Sequence, residues 1–161
     1  MSIRPATSDD ATAVAEIYNY FIADTIITFE TETISAAEMA SRIVSIQQTY
    51  PFLVYEDQGE VCGYAYASQW RTRSAYRYAT ESTIYLQPTS GGRGVGTQLY
   101  GALIDVLRQR QFHCVIGGIS LPNIASVALH EKLGFEKVAH FPQVGRKLDK
   151  WIDVGYWQLL L

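Results

Sequence analysis

Between Phe52 and Leu86 three strand-like segments follow one another without an intervening helix. Phe52–Glu56 and Val61–Ser68 are rich in β-branched and aromatic residues and flank the turn Asp57-Gln58-Gly59, a strong hairpin signal. Arg77–Leu86 supplies the third strand, entered through the charged stretch from Trp70 to Arg77. A doubly wound parallel sheet alternates strands with helices, so this run excludes it.

The segments around the run carry helical periods. Thr7 and Asp10 stand at capping-box spacing, and Val14, Ile17, Tyr18 and Phe21 recur at helical intervals, which predicts a helix over 8–22. Ser35 and Glu38 repeat the signal before Met39, Ile43 and Ile46, and this second helix must end before Pro51. Between them, residues 24–33 are too short and too β-branched for another helix; they form either a plain connector or a loop carrying Phe29 near a site. Val95, Leu99, Leu103 and Val106 mark a third helix, and Asn123–Leu133 a fourth, closed by Gly134. Ser2–Arg4, Phe112–Gly117, Phe135–Phe141 and Trp151–Leu160 read as strands. The order β-α-α-β-β-β-α-β-α-β-β predicts one α/β (α+β) domain over residues 1–161, a mixed sheet with helices on both faces.

Composition narrows the partners. A chain of 161 residues is one domain's worth of core. Lys plus Arg is 13 against 16 Asp plus Glu, a net charge of −3, and no basic block exceeds two residues, which argues against nucleic acid. Two cysteines make no disulfide framework, and both read as small buried hydrophobes. No apolar run is long enough to cross a membrane, and the first residues lack a signal-peptide core; a cytoplasmic protein is expected. Eleven tyrosines suggest either an aromatic-lined cleft or interface, or simply aromatic strands.

The sharpest local signal is Gly91-Gly92-Arg93-Gly94-Val95-Gly96, after a strand and opening a helix. Glycines let the backbone turn tightly and approach a ligand closely. Free N–H groups at the helix start attract phosphate or pyrophosphate, and Arg93 could add charge-assisted bonds. No Rossmann pattern follows the first strand, and no Gly-Lys-Ser/Thr follows the loop, so neither dinucleotide nor Walker chemistry fits. A nucleotide-like ligand held by backbone, or a merely flexible glycine turn, remains.

Ser90-Gly-Gly-Arg-Gly-Val-Gly96, Asn123-Ile-Ala-Ser126 and Leu129-His-Glu-Lys-Leu-Gly-Phe135 together resemble the acyl-CoA-binding core of the GNAT superfamily of N-acetyltransferases. At Gly91 this sequence lacks the basic or Gln side chain that opens the family's loop, whereas the backbone cradle of Gly92 to Gly96 is kept. Ile17-Tyr-Asn19, Thr28-Phe-Glu30, the Trp70–Arg77 stretch, Thr80-Glu-Ser-Thr-Ile-Tyr85 and Trp151-Ile-Asp-Val-Gly-Tyr-Trp-Gln158 resemble the phosphinothricin and methionine sulfoximine N-acetyltransferase subfamily. The resemblance implies a GNAT-like, mostly antiparallel central sheet, a cytoplasmic homodimer, and acetyl transfer from acetyl-CoA to the α-amino group of a small amino acid or analogue. It implies acetyl-CoA contacts at Ile84, Tyr85, Leu86, Gly91, Gly92, Arg93, Gly94, Val95, Gly96, Thr97, Asn123 and Ser126, with Asn123 also able to cap its helix.

Acetyl transfer to an amine needs a base, a polarised thioester carbonyl, a way for the thiolate to leave, and aligned substrates. Glu81, on the strand before the loop, is the candidate base, in the family's proposed base position; a solvated strand carboxylate is the bland alternative. His130 stands where many GNAT members have a tyrosine proposed to protonate the thiolate, and the subfamily shares His there; a half-buried structural histidine is the alternative. An amino-acid carboxylate calls for a guanidinium. Of Arg71, Arg73 and Arg77, Arg73 is favoured, because its spacing from Trp70 and Tyr76 resembles the family's substrate segment. Phe29 and Trp70 could wall the side-chain pocket, with Glu30 and Tyr78 beside them. No metal site is read, because His113 and His140 lack ligands at metal spacing. The rivals are acetylation of another amine or a protein N-terminus, and an acyl-CoA-binding module without turnover.

Overall fold

A computed structural model describes residues Met1–Leu161. Its strands are β1 (Ser2–Pro5), β2 (Phe52–Asp57), β3 (Glu60–Gln69), β4 (Ala79–Leu86), β5 (Cys114–Leu121), β6 (Glu136–Lys147) and β7 (Lys150–Leu160). Its helices are α1 (Ala11–Asp24), α2 (Ala36–Gln47), α3 (Val95–Gln109) and α4 (Ile124–Lys132). The strands form one sheet in the order β1-β2-β3-β4-β5-β7-β6. Every neighbouring pair is antiparallel except β4 and β5. The element order and the mixed sheet agree with the sequence reading.

Alternation along the central strands assigns the two faces. On β2, Phe52 and Val54 join the core beneath α1 and α2, while Leu53 and Tyr55 join the core beneath α3. On β3, Tyr64 points to the first face, and Ala65 and Ala67 to the second. Small alanines let α3 lie close, so that Leu99, Leu103 and Leu107 are fully buried. Burying each such side chain stabilises the fold by ~1.5–3 kcal/mol.

The helix starts follow local chemistry. Before α1, the Asp10 carboxylate accepts the Thr7 N–H at 2.8 Å and two Arg4 bonds at 2.8 Å. Ser35 caps α2 by accepting the Glu38 N–H at 3.1 Å. The α1–α2 connector has no regular structure, yet side chains pin it. Asn19 donates to the Ile34 carbonyl at 2.8 Å and accepts its N–H at 2.9 Å. Arg42 grips both Glu30 oxygens, at 2.9 and 2.8 Å.

Two strands outrun their predicted ends. β5 continues past Gly117 because β7 pairs with it from Cys114 to Leu121. β6 continues past Phe141 to Lys147, with register shifts at Lys137/Ala139 and Phe141/Gly145. The second shift takes up Pro142, which an edge strand tolerates at a bulge.

The single parallel pair positions the site. β4 and β5 pair only at Ala79↔Cys114, Thr80↔Val115 and Glu81↔Ile116. Beyond Glu81 each strand stays with its other neighbour, β4 with β3 and β5 with β7. The sheet therefore opens there into a V.

Candidate active site

A cleft of about 770 Å³ fills this opening. Of the residues expected to contact ligands, Phe29, Trp70, Arg71, Glu81, Ile84, Tyr85, Asn123, Ser126 and His130 line it. Alternation on β4 sends Glu81, Thr83 and Tyr85 toward the α1–α2 face, and Ser82 and Ile84 toward the α3–α4 face.

On the α1–α2 face the Glu81 carboxyl is half-buried. Burial raises its pKa above the ordinary carboxylate value, and the charge of Arg71 partly opposes this. No hydrogen bond holds it in place. Arg71 lies over the Trp70 ring at 4.5 Å, and Trp70 meets Tyr156 edge-on at 5.7 Å. Tyr156 in turn meets Phe141 at 5.8 Å. Gly118 faces this side: a Cβ there would fall 3.1 Å from the Tyr156 ring and 3.6 Å from Glu81 Oε1.

On the opposite face His130 is buried with both nitrogens engaged. Nδ1 lies 2.7 Å from the Ser126 carbonyl oxygen, which can only accept, so Nδ1 carries the proton. Nε2 then accepts from the Tyr100 hydroxyl at 3.0 Å. That hydroxyl lies 2.6 Å from Ser82 Oγ, completing a chain from the cleft-lining Ser82 to the imidazole. Burial lowers the His130 pKa, which keeps the ring neutral near pH 7. Gly117 makes the arrangement possible, because a Cβ there would sit 2.5 Å from His130 Nε2.

The glycine loop lies past the cleft, at the start of α3. Gly92 (φ 79°) and Gly94 (φ 77°) occupy the left-handed region that favours glycine. The first backbone bond of α3 runs from Gln98 N–H to the Gly94 carbonyl at 3.0 Å. The N–H groups of Val95, Gly96 and Thr97 therefore precede any intrahelical acceptor, and no side chain caps them. Gly96 lets α3 approach Leu86 and Leu129, each 3.3 Å from where its Cβ would stand. Arg93 folds back on the loop, donating to the Thr89 carbonyl at 3.3 Å. Asn123 caps α4 by accepting the Ser126 N–H at 3.1 Å.

Several expected acceptor residues lie elsewhere. Arg73 is exposed at the head of the short 3-10 turn Ser74–Tyr76, outside the cleft lining. Arg77 donates to the Ser74 carbonyl and covers the exposed Tyr78 ring at 4.5 Å. The resemblance favoured Arg73; in the fold it is Arg71 that lines the cleft together with Glu81. Glu30 is tied to Arg42 and Tyr18 and builds the connector rather than the cleft. The sequence reading missed Ser82, Tyr100, Gly117, Gly118 and Tyr156. Paired glycines inside a strand pattern were the one available signal, since they mark a close approach. No group of three His, Cys, Asp or Glu side chains is placed to hold a metal ion.

An opened sheet that leads from bare helix-start amides to an unpaired carboxylate suits a long phosphate-bearing carrier delivering an acyl group to a nucleophile. The class it defines is the acyltransferases. The model of the acetyltransferase (GNAT) domain matches residues 3–155, and the chain belongs to that family. It is 39% identical over 158 residues to the phosphinothricin N-acetyltransferase of Streptomyces viridochromogenes, covering 98% of this chain and 86% of that protein. A putative acetyltransferase of Salmonella typhimurium, yncA, solved with its cofactor acetyl-CoA, superposes with TM-score 0.96 at 37% identity, over 99% of this chain and 93% of that one. A ribosomal-protein-alanine N-acetyltransferase of Brucella melitensis superposes with TM-score 0.97 at 32% identity, over the whole of both chains.

Proposed function

We propose that this acetyltransferase moves the acetyl group of acetyl-CoA to the α-amino group of a small free amino acid or analogue of the phosphinothricin or methionine sulfoximine type. The observation that carries the reading is Glu81, a half-buried carboxyl without a hydrogen-bond partner at the apex of the opened strands. A base held there takes the proton that the amine must lose, directly or through water. Arg71 is the guanidinium for the acceptor carboxylate, in place of Arg73, and Phe29, Trp70 and Tyr156 wall the side chain.

The chain's residues fit acetyl-CoA as the donor. Val95, Gly96 and Thr97 offer amides to its pyrophosphate, and Gly92 and Gly94 keep side chains out of the way. Acetyl-CoA supplies an activated thioester carbonyl. The β4 edge beyond Glu81, unpaired with β5, offers backbone donors to the carbonyl oxygen. His130 keeps Tyr100 and Ser82 oriented at the thiol side; with both nitrogens occupied, it is not itself the proton donor.

The protein works as a homodimer in this reading, and in the cytoplasm. Val138, Phe141, Val144, Leu148 and Trp151 are exposed along β6–β7, an apolar edge that a second copy would cover. Light scattering at micromolar concentration tests this; a species of 18.0 kDa contradicts it.

The likeness to a protein-directed enzyme makes acceptor choice the decisive experiment. Thiol release from acetyl-CoA is followed with methionine sulfoximine, phosphinothricin, free amino acids, their amides, and an Ala-initiated peptide. The reading predicts turnover of free amino acids, with amides much weaker for want of the carboxylate. Turnover of the peptide alone contradicts it.

A further inference from the structure

Lys147 is the one buried lysine, and no carboxylate pairs with it. Its ammonium instead donates to the Thr28 carbonyl at 2.8 Å and the Phe21 carbonyl at 3.4 Å. Phe21 lies in the last turn of α1, whose carbonyls carry the negative end of the helix dipole. A buried cation is costly without such partners, so the side chain works as a clamp from β6 onto the connector between α1 and α2.

Two residues earlier on the same strand, Gly145 makes the matching concession. A Cβ there would collide with Cε2 and Cζ of Phe29, and would lie 3.2 Å from its Cδ2. Lys147 thus holds the carbonyl of residue 28, while Gly145 gives room to the ring of residue 29. That ring lines the cleft beside Phe141 and Val144.

We propose that Gly145 and Lys147 are a positioning pair that sets how far Phe29 closes the acceptor end, and so select the size of the amino-acid side chain. The proposal deepens the amino-acid reading and rests on it. Neither residue touches the reacting atoms. Their effect is read in acceptor affinity and preference, with acetyl-CoA affinity left alone.

The test uses full-length Lys147→Met, Lys147→Arg and Gly145→Ala, with kinetics on amino acids of increasing side-chain size and amide hydrogen exchange of residues 25–34. Lys147→Met should raise the acceptor KM about tenfold, the worth of one charge-assisted bond. The kcat and the KM for acetyl-CoA should stay unchanged, and residues 25–34 should exchange faster. Lys147→Arg should recover part of the KM. Gly145→Ala should alter the ratio of kcat/KM between small and large amino acids, and should lose that effect in a Phe29→Ala background. Unchanged exchange in Lys147→Met, or a Gly145→Ala effect that persists without the Phe29 ring, would overturn the proposal. If the wild type acetylated no free amino acid, the amino-acid reading would fail, and the exchange comparison would still decide the clamp.

Discussion

The two faces of the opened sheet carry opposite chemistry. Toward α1 and α2, Glu81 keeps a carboxyl that burial makes easier to protonate and that nothing hydrogen-bonds. Toward α3 and α4, His130 is buried as well, but Ser126 and Tyr100 take both of its nitrogens. Burial displaces both groups toward their neutral forms, by the same desolvation. The partners differ: a titratable group without them is free to exchange a proton with substrate, and one with two is held in a single tautomer. The proposed mechanism accordingly assigns proton transfer to the first face, and carrier binding and orientation to the second.

The largest expected effect separates the faces directly. Glu81→Gln should keep the fold and acetyl-CoA binding, while turnover falls about 10²–10⁴-fold, or ~3–5 kcal/mol of barrier. Alkaline pH should partly restore it, because more acceptor is already free amine. Steady-state thiol release across pH, with acetyl-CoA affinity measured by calorimetry, checks this.

Next comes the packing of the second face. Gly117→Ala would drive a methyl into the imidazole and to 3.5 Å from the Tyr100 hydroxyl. Overpacking of this kind should cost ~1–3 kcal/mol of stability, seen in urea unfolding. Turnover per folded molecule should fall far less than for Glu81→Gln; an equal loss would erase the contrast between the faces.

The carrier end should respond to backbone strain. Gly94→Val places a branched residue at φ 77°, at roughly 1–2 kcal/mol. Acetyl-CoA should bind more weakly by calorimetry, with the acceptor KM little altered.

The smallest effect is in acid. The folded-state pKa of His130 lies below its ordinary value, so its contribution to stability is complete above about pH 6.5. That contribution is lost as pH falls toward the folded value, at no more than ~1.4 kcal/mol per pH unit. Urea midpoints at pH 8 and pH 5 should differ more for the wild type than for His130→Gln.

Much of the fold was written in local patterns. The capping pair Thr7/Asp10, the hairpin at Asp57–Gly59 and the glycines before α3 each act within a few residues, so the sequence exposes them. The ends of β5 and β6 were hidden because their length comes from β7, a partner distant in sequence. The site divided the same way. Glu81 and Asn123 follow from their place on a strand and at a helix start. Arg71 could not be told from Arg73, because the chain leaves β3 at Gln69 and only the fold decides which guanidinium returns to the cleft. Tyr100 and Ser82 were invisible for a similar reason: Ser82 reaches His130 only through the Tyr100 hydroxyl, in a chain that joins one strand and two helices.

The central claim is that Glu81, tuned by burial against Arg71, is the group whose deprotonation permits transfer. The direct measurement is the acid limb of kcat/KM in wild type, Arg71→Met and Glu81→Gln. Burial raises the Glu81 pKa and Arg71 lowers it, so the wild-type limb should lie above the ordinary carboxylate range. It should move to higher pH in Arg71→Met, and in Glu81→Gln it should be replaced by the rise that follows the acceptor amine's own deprotonation. A limb that stays at the same pH in all three proteins would contradict the account.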